Sequence, residues 1–220
     1  MGGNVKVVID LETIALPVSR GDYEKWENRW EEEYKGAPSN WKDPEKIAAH
    51  KQESKVKAEK EFLSERKFRV GGNQIVAVGL GVVNDTSIMH LESFVGPDPN
   101  ELMALTVGYL REVGRYSFVG FNVEGFDLPI LNLAMHKAGL RLPCKIGKWD
   151  TVDLCERPFK RRYKLKDLAD IYGLERVEGD GSGVQALWDE QNLDAIKNYN
   201  LSDVKITAEL YQILARFYDI

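Results

Sequence analysis

Residues 5–10, VKVVID, form a compact apolar run whose β-branched residues predict a buried strand. QIVAVGLGVV at 74–83 predicts a second strand, and Asn84-Asp85 a turn into a third, SIMHLESFV. After Pro97 to Asn100, Leu102, Leu105, Val107 and Leu110 mark a helix. SFVGFN at 117–122 predicts a fourth strand, followed by a helix from near Phe126 to Gly139, where a glycine can cap it. WDTVDL predicts a short fifth strand, and LKDLADIYGL a short helix ending at Gly173. From Leu193 to Tyr218 a helical period runs through Ile196, Tyr199, Val204, Ile206, Leu210 and Leu214. Strands interleaved with helices in this order predict an α/β fold, a mixed five-stranded sheet with helices on its faces. Gly79 and Gly81 lie inside a strand, with no glycine-rich turn opening a helix after them, so the pattern is not that of a Rossmann fold.

Residues 20–70 depart from this pattern. They are dense in Lys, Arg, Glu and Asp, and Tyr23, Trp26, Trp30 and Tyr34 recur on one helical face. Asp43-Pro44 is a cap and first-turn pair for a second helix running towards Phe68, and Gly71-Gly72-Asn73 makes the closing turn. This is expected to be a helical insertion whose aromatic stripe packs against protein, because four exposed rings would form an apolar patch that soluble monomers seldom carry. Whether it grips substrate, meets a partner or only adds stability stays open.

At 220 residues and 43% hydrophobic, the chain is read as a single domain, 1–220, with the insertion at about 20–70. No apolar run approaches the roughly 18 residues of a membrane span, and Asp10 and Glu12 interrupt the first apolar stretch, so neither a signal peptide nor an anchor is expected. Cys144 and Cys155 match no zinc or disulfide pattern and are read as reduced thiols in a cytoplasmic protein. A net charge of −5 argues against a general nucleic-acid coating protein. It leaves room for an enzyme with a carboxylate-rich site and a local basic track.

Three short patterns carry candidate chemistry. In Asp10-Leu-Glu12 the carboxylates are two residues apart in a strand, so they point to one side and repel unless a cation lies between them. The pair reads equally as a solvated strand end. In Asn122-Val-Glu-Gly-Phe126-Asp127 an acid follows a buried strand and opens a helix, a position the helix dipole also favours without any function. In Tyr199-Asn-Leu-Ser-Asp203 a phenol and a carboxylate share a helix face, which also describes a core tyrosine beside a surface aspartate.

Together, VIDLET, NVEGFD and YNLSD resemble the three exonuclease motifs of the DEDD, or DnaQ-like, branch of RNase H-like proteins. Tyr199 in the third motif matches the DEDDy subgroup, and the stretch from LKDLADIYGL onward also resembles a PolB-like 3′–5′ exonuclease family. The resemblance spans nearly the whole chain outside 20–70. It implies an RNase H-like fold and 3′–5′ exonuclease activity. It also implies that Asp10, Glu12, Asp127 and Asp203 hold two divalent cations while Tyr199 orients the attacking water. Phosphodiester hydrolysis needs an activated water and charge neutralisation, and hard oxygen ligands select Mg²⁺ or Mn²⁺. A tyrosine, with a free pKa near 10, is a poor base at neutral pH, which favours the orienting role.

Leu11 and Thr13 of the first motif, and Asn122 and Phe126 of the second, are the implied substrate contacts. The basic segment 157–166, RPFKRRYKLK, adds Arg161, Arg162 and Lys164; it reads equally as a solvated loop. The expected partner is a nucleic acid with a free 3′ end, DNA ahead of RNA, and no membrane; nothing identifies a replication or repair protein partner. The rival readings are an RNase D-like exoribonuclease, a non-catalytic nucleic-acid-binding domain and an RNase H-type endonuclease. Intact carboxylates argue against the second, and the Tyr199/Asp203 pair on the last helix against the third.

Overall fold

The computed structural model describes residues 5–66, 72–143, 151–155, 163–177 and 183–218. In chain order the elements are β1 (Lys6–Ala15), α1 (Arg20–Glu33), α2 (Pro44–Arg66), β2 (Asn73–Val83), β3 (Ile88–Val95), α3 (Pro99–Val113) and β4 (Ser117–Gly120). They continue with α4 (Asp127–Lys137), β5 (Thr151–Asp153), α5 (Leu165–Tyr172), α6 (Val184–Asp189) and α7 (Leu193–Leu214). The residues group into two compact units, one from 1–14 with 74–220 and the other 15–73.

The larger unit is built on a five-stranded sheet of order β3-β2-β1-β4-β5. β2 and β3 pair antiparallel, whereas β4 runs parallel to both β1 and β5, which gives the mixed sheet expected from the chain. β1 alternates cleanly. Val7, Ile9 and Leu11 join one apolar core with Leu102, Met103 and Leu110 of α3 and Leu128 and Leu131 of α4. Val8 faces the other way, into a cluster with Val204, Ala208 and Tyr211 of α7, and Ile14 meets Ile196 of the same helix. The central strand is therefore covered on both faces, and each large aliphatic so buried contributes about 1.5–3 kcal/mol. Tight caps fix the helix ends: Asp98 accepts from the Asn100 N–H ahead of Pro99 in α3, and Gly173 closes α5 in the left-handed conformation at φ 66°.

The sequence placed Asp10 and Glu12 at the end of the first strand. β1 instead continues to Ala15, and Leu11, Glu12, Thr13 and Ile14 are all buried. β1 is hydrogen-bonded to β2, which is buried along nearly its whole length, and the acidic pair sits within a strand rather than at its end. α6 has no counterpart in the sequence reading; six residues are too few for a helical period to show.

The smaller unit is the helical insertion, a pair of helices. Ser19 caps α1 by accepting from the Asp22 N–H, and Asp43 does the same for α2 through Glu45 N–H at 3.0 Å. Trp26 and Trp30 are buried, as expected for the stripe, and their cover is α2 itself: Trp26 stacks on Phe62 at 5.2 Å between ring centroids. At the rims Tyr23 donates to Glu59 at 2.7 Å, and the Tyr34 hydroxyl lies 2.9 Å from His50 Nδ1. Among the described residues no helix is long and apolar enough to cross a membrane.

Candidate functional site

Asp10 and Glu12 occupy the β1 face that Val8 and Ile14 share with α7. They replace two apolar positions in the middle of a covered row. Opposite them, α7 brings Asp203, one turn beyond Tyr199. Ligand oxygens of Asp10, Glu12 and Asp203 all lie within 4.8 Å of one another, and Glu12 is only 7% exposed. No second group of three metal-ligating side chains occurs among the described residues.

Asp127 arrives from the other side of β1. β1 and β4 pair through Val8↔Val119, and β4 ends at Gly120. Gly120 lets the chain fold back tightly, since a Cβ there would lie 2.5 Å from Val123 Cβ. α4 then starts at Asp127, whose Oδ1 accepts the Leu11 N–H at 2.9 Å. Asp127 is 4% exposed and feels the charge of Asp10, yet it lies outside the close trio.

These surroundings shift the site's titrations. Burial, then the neighbouring Asp203 carboxylate, pushes Asp10 up to about 8, offset in part by a hydrogen bond from Asn200. Burial raises Asp203 to about 6, against lowering by the Tyr199 hydroxyl and Arg176. Asp127 is raised well above the ordinary carboxylate range by burial and then by Asp10. Tyr199 is raised above its usual value by burial first, then by Asp203 and Glu12, so it keeps its proton. Carboxylates pressed together out of water favour protons or cations between them. The all-oxygen donor set fits a hard divalent ion such as Mg²⁺ or Mn²⁺.

The remaining candidates scatter. The Leu11 side chain enters the core, and what it turns towards Asp127 is its backbone N–H. Thr13 is buried. Asn122 adopts φ 63°, a left-handed conformation that asparagine tolerates, and Phe126 is half-buried just before α4. Lys164 is exposed at the start of α5, whereas Arg161, Arg162 and Cys144 lie outside the described residues. Cys155 is buried.

Four further residues shape the site without having been singled out by sequence. Asp153, at the end of β5, accepts from the N–H groups of Asn122 (2.9 Å), Glu124 (3.3 Å) and Cys155 (3.1 Å), and so holds the turn that delivers Asp127. Asn200 bonds Asp10, Ser93 bonds Asn200, and Arg176, paired with Asp170 at 3.4 Å, acts on Asp203. The legible signal was Asn200, a polar residue on the buried helical row Ile196, Asn200, Val204.

The family model RNase_H_2, described as RNase_H superfamily, matches residues 65–215, a stretch that holds the second and third acidic motifs. Among solved structures, the chain is similar to the family B DNA polymerase from the hyperthermophilic archaeon Pyrobaculum calidifontis. The two are 17% identical with a TM-score of 0.60, over 98% of this chain and 25% of that one. It is also similar to product-bound exonuclease I, 9% identical with a TM-score of 0.53 over 98% of this chain and 44% of the other. Exonuclease I in complex with the inhibitor BCBP gives 9% identity and a TM-score of 0.54 over 99% and 42%. The chain thus spans less than half the length of each of these proteins, and at such identities the likeness is one of fold. No curated protein matches the chain. With well over half its length matched by the family model, and with the mixed sheet and flanking helices expected of that fold, the chain belongs to the RNase H superfamily.

Proposed function

We propose that this chain is a cation-dependent 3′–5′ exonuclease that hydrolyses phosphodiester bonds at single-stranded DNA ends. The observation that carries the reading is the trio Asp10, Glu12 and Asp203, gathered from one strand and one helix into a half-buried acidic cluster. Asp10, Glu12, Asp127 and Asp203 would hold two divalent cations. Bound there, Mg²⁺ or Mn²⁺ supplies charge neutralisation at the phosphate and acidification of water.

The protein's own groups do the rest. Tyr199 keeps its proton and sits against Asp203, so its hydroxyl orients the attacking water by hydrogen bonding and takes no proton from it. Asp153 stiffens the 122–124 turn, which sets Asn122 and Phe126 as substrate contacts beside Asp127. Lys164, with Arg161 and Arg162, supplies positive charge for the phosphate backbone. DNA is preferred to RNA because a DNA polymerase stands among the proteins of similar fold.

The test uses single-stranded DNA and RNA of equal sequence, 5′-labelled and incubated with Mg²⁺, Mn²⁺ or chelator. The expected outcome is a ladder of shortening DNA products that needs the cation. Tyr199→Phe should slow the ladder by about 10–100-fold, the effect of losing orientation of one reacting group. RNA-only ladders would transfer the reading to an exoribonuclease. Internal cuts would transfer it to an endonuclease, and cleavage of neither substrate would end it.

A further inference from the structure

We infer that Asn200 is a positioning residue that sets the Asp10 carboxylate for its cation, through a relay that starts at Ser93; this rests on the cation reading proposed above. Asn200 is fully buried in α7, between Tyr199 and Asp203. Its Nδ2 donates to Asp10 Oδ2 at 2.8 Å and also meets the Asp10 main-chain oxygen at 3.3 Å. Its Oδ1 accepts from Ser93 Oγ at 2.6 Å. The Asp10 main-chain oxygen can only accept, which sets the amide's Nδ2 towards Asp10 and its oxygen towards Ser93. The donor direction is therefore fixed: Ser93 to Asn200 to Asp10.

The sheet carries a socket for this amide. Ser93 on β3 is the register partner of Gly79 on β2. A Cβ on Gly79 would stand 2.5 Å from Asn200 Oδ1 and 2.5 Å from Val204 Cγ2. The missing side chain at Gly79 is the space that Asn200 fills, with Ser93 beside it and 2% exposed. A polar chain buried this fully fixes one geometry, since any other leaves unpaired donors in the core. It holds the Asp10 carboxylate through one of its oxygens, in the same cluster as Glu12 and Asp203.

A role limited to stabilising the packing of α7 on the sheet would not touch cation affinity in a folded variant. Mn²⁺ titration of the metal-free protein by calorimetry separates the two, using the parent, Asp10→Ala, Asn200→Ala, Ser93→Ala and the Asn200/Ser93 double variant. Asn200→Ala should keep its circular dichroism spectrum and bind Mn²⁺ about 10–100-fold more weakly, the usual cost of losing a partner behind a metal ligand. Ser93→Ala should weaken binding less, and the double variant should be no weaker than Asn200→Ala alone. A folded Asn200→Ala with parental affinity, or strictly additive losses in the double variant, overturns the relay. If Asn200→Ala does not fold, Ser93→Ala decides: weakened binding supports the relay and parental affinity overturns it. Failure of the parent itself to bind Mn²⁺ in a way that Asp10→Ala abolishes overturns the cation reading, and the relay falls with it.

Discussion

The helical insertion and the sheet site are both rich in charge, and they treat it in opposite ways. On α1 and α2 the charges are mostly exposed and are answered by opposite partners: Arg20 meets Glu24 at 2.8 Å, and Lys55 pairs with Glu27. Such pairs contribute about 0–1 kcal/mol each, and their main effect is to keep a long helix pair wettable. At the site the carboxylates of Asp10, Glu12, Asp127 and Asp203, from β1, α4 and α7, share one sign and are buried or half-buried. A fold keeps buried like charges where something else repays the repulsion, and a bound cation is the natural candidate. The difference teaches that charge density alone says little about function. Burial and sign balance separate a solvated surface from a ligand site.

The comparison can be broken most sharply at the site. Asp203→Ala or Asp10→Ala is expected to abolish cleavage, at least the loss of about 10³-fold that removing one preorganised electrostatic group can cost. Yet Asp203→Ala should not melt lower than the parent in chelator, because it relieves repulsion in the metal-free protein. Retained cleavage, measured on labelled oligonucleotides with saturating cation, would contradict the site assignment.

In the insertion the energy lies in the rings. Trp26→Ala removes a 6%-exposed side chain stacked on Phe62 and should lower stability by about 3–5 kcal/mol, read as the loss of a thermal or denaturant transition. A silent Trp26→Ala would mean the stripe is not what holds α1 to α2.

A pH titration of stability comes next. In the metal-free protein Asp10 is raised to about 8 and Asp203 to about 6. The folded state therefore holds more protons than the unfolded chain between about pH 4 and pH 8. Stability should fall as pH rises through that window and level off above it, and Mn²⁺ should flatten the slope. A rise in stability over the same window, followed by chemical denaturation, would reverse the sign and the account with it. The smallest effect belongs to the surface: Glu27→Ala should change stability by less than about 1 kcal/mol, and a larger loss would mean the insertion's charges are not merely solvated.

The acidic residues were legible because their spacings match the geometry of their elements: two apart on a strand, four apart on a helix. The strand–helix order gave the sheet and its flanking layers for the same reason. What stayed illegible depends on contacts between distant parts of the chain. Ser93 and Asn200 are 107 positions apart and Asp10 and Asn200 are 190 apart, so no local pattern links them. The extension of β1 past Glu12 was hidden because two acids inside a strand look like its end. Only the adjoining strand and covering helix make that strand continue. Asp153 was hidden because a three-residue strand has no periodicity to betray which side chain turns inward.

The central claim is that the half-buried carboxylates on β1 and α7 exist to hold a divalent cation. The most direct measurement is anomalous diffraction from crystals of the parent protein grown with Mn²⁺. The expected result is a manganese peak within ligand distance of Asp10, Glu12 and Asp203. Manganese density only elsewhere on the protein, or none at saturating Mn²⁺, would contradict it.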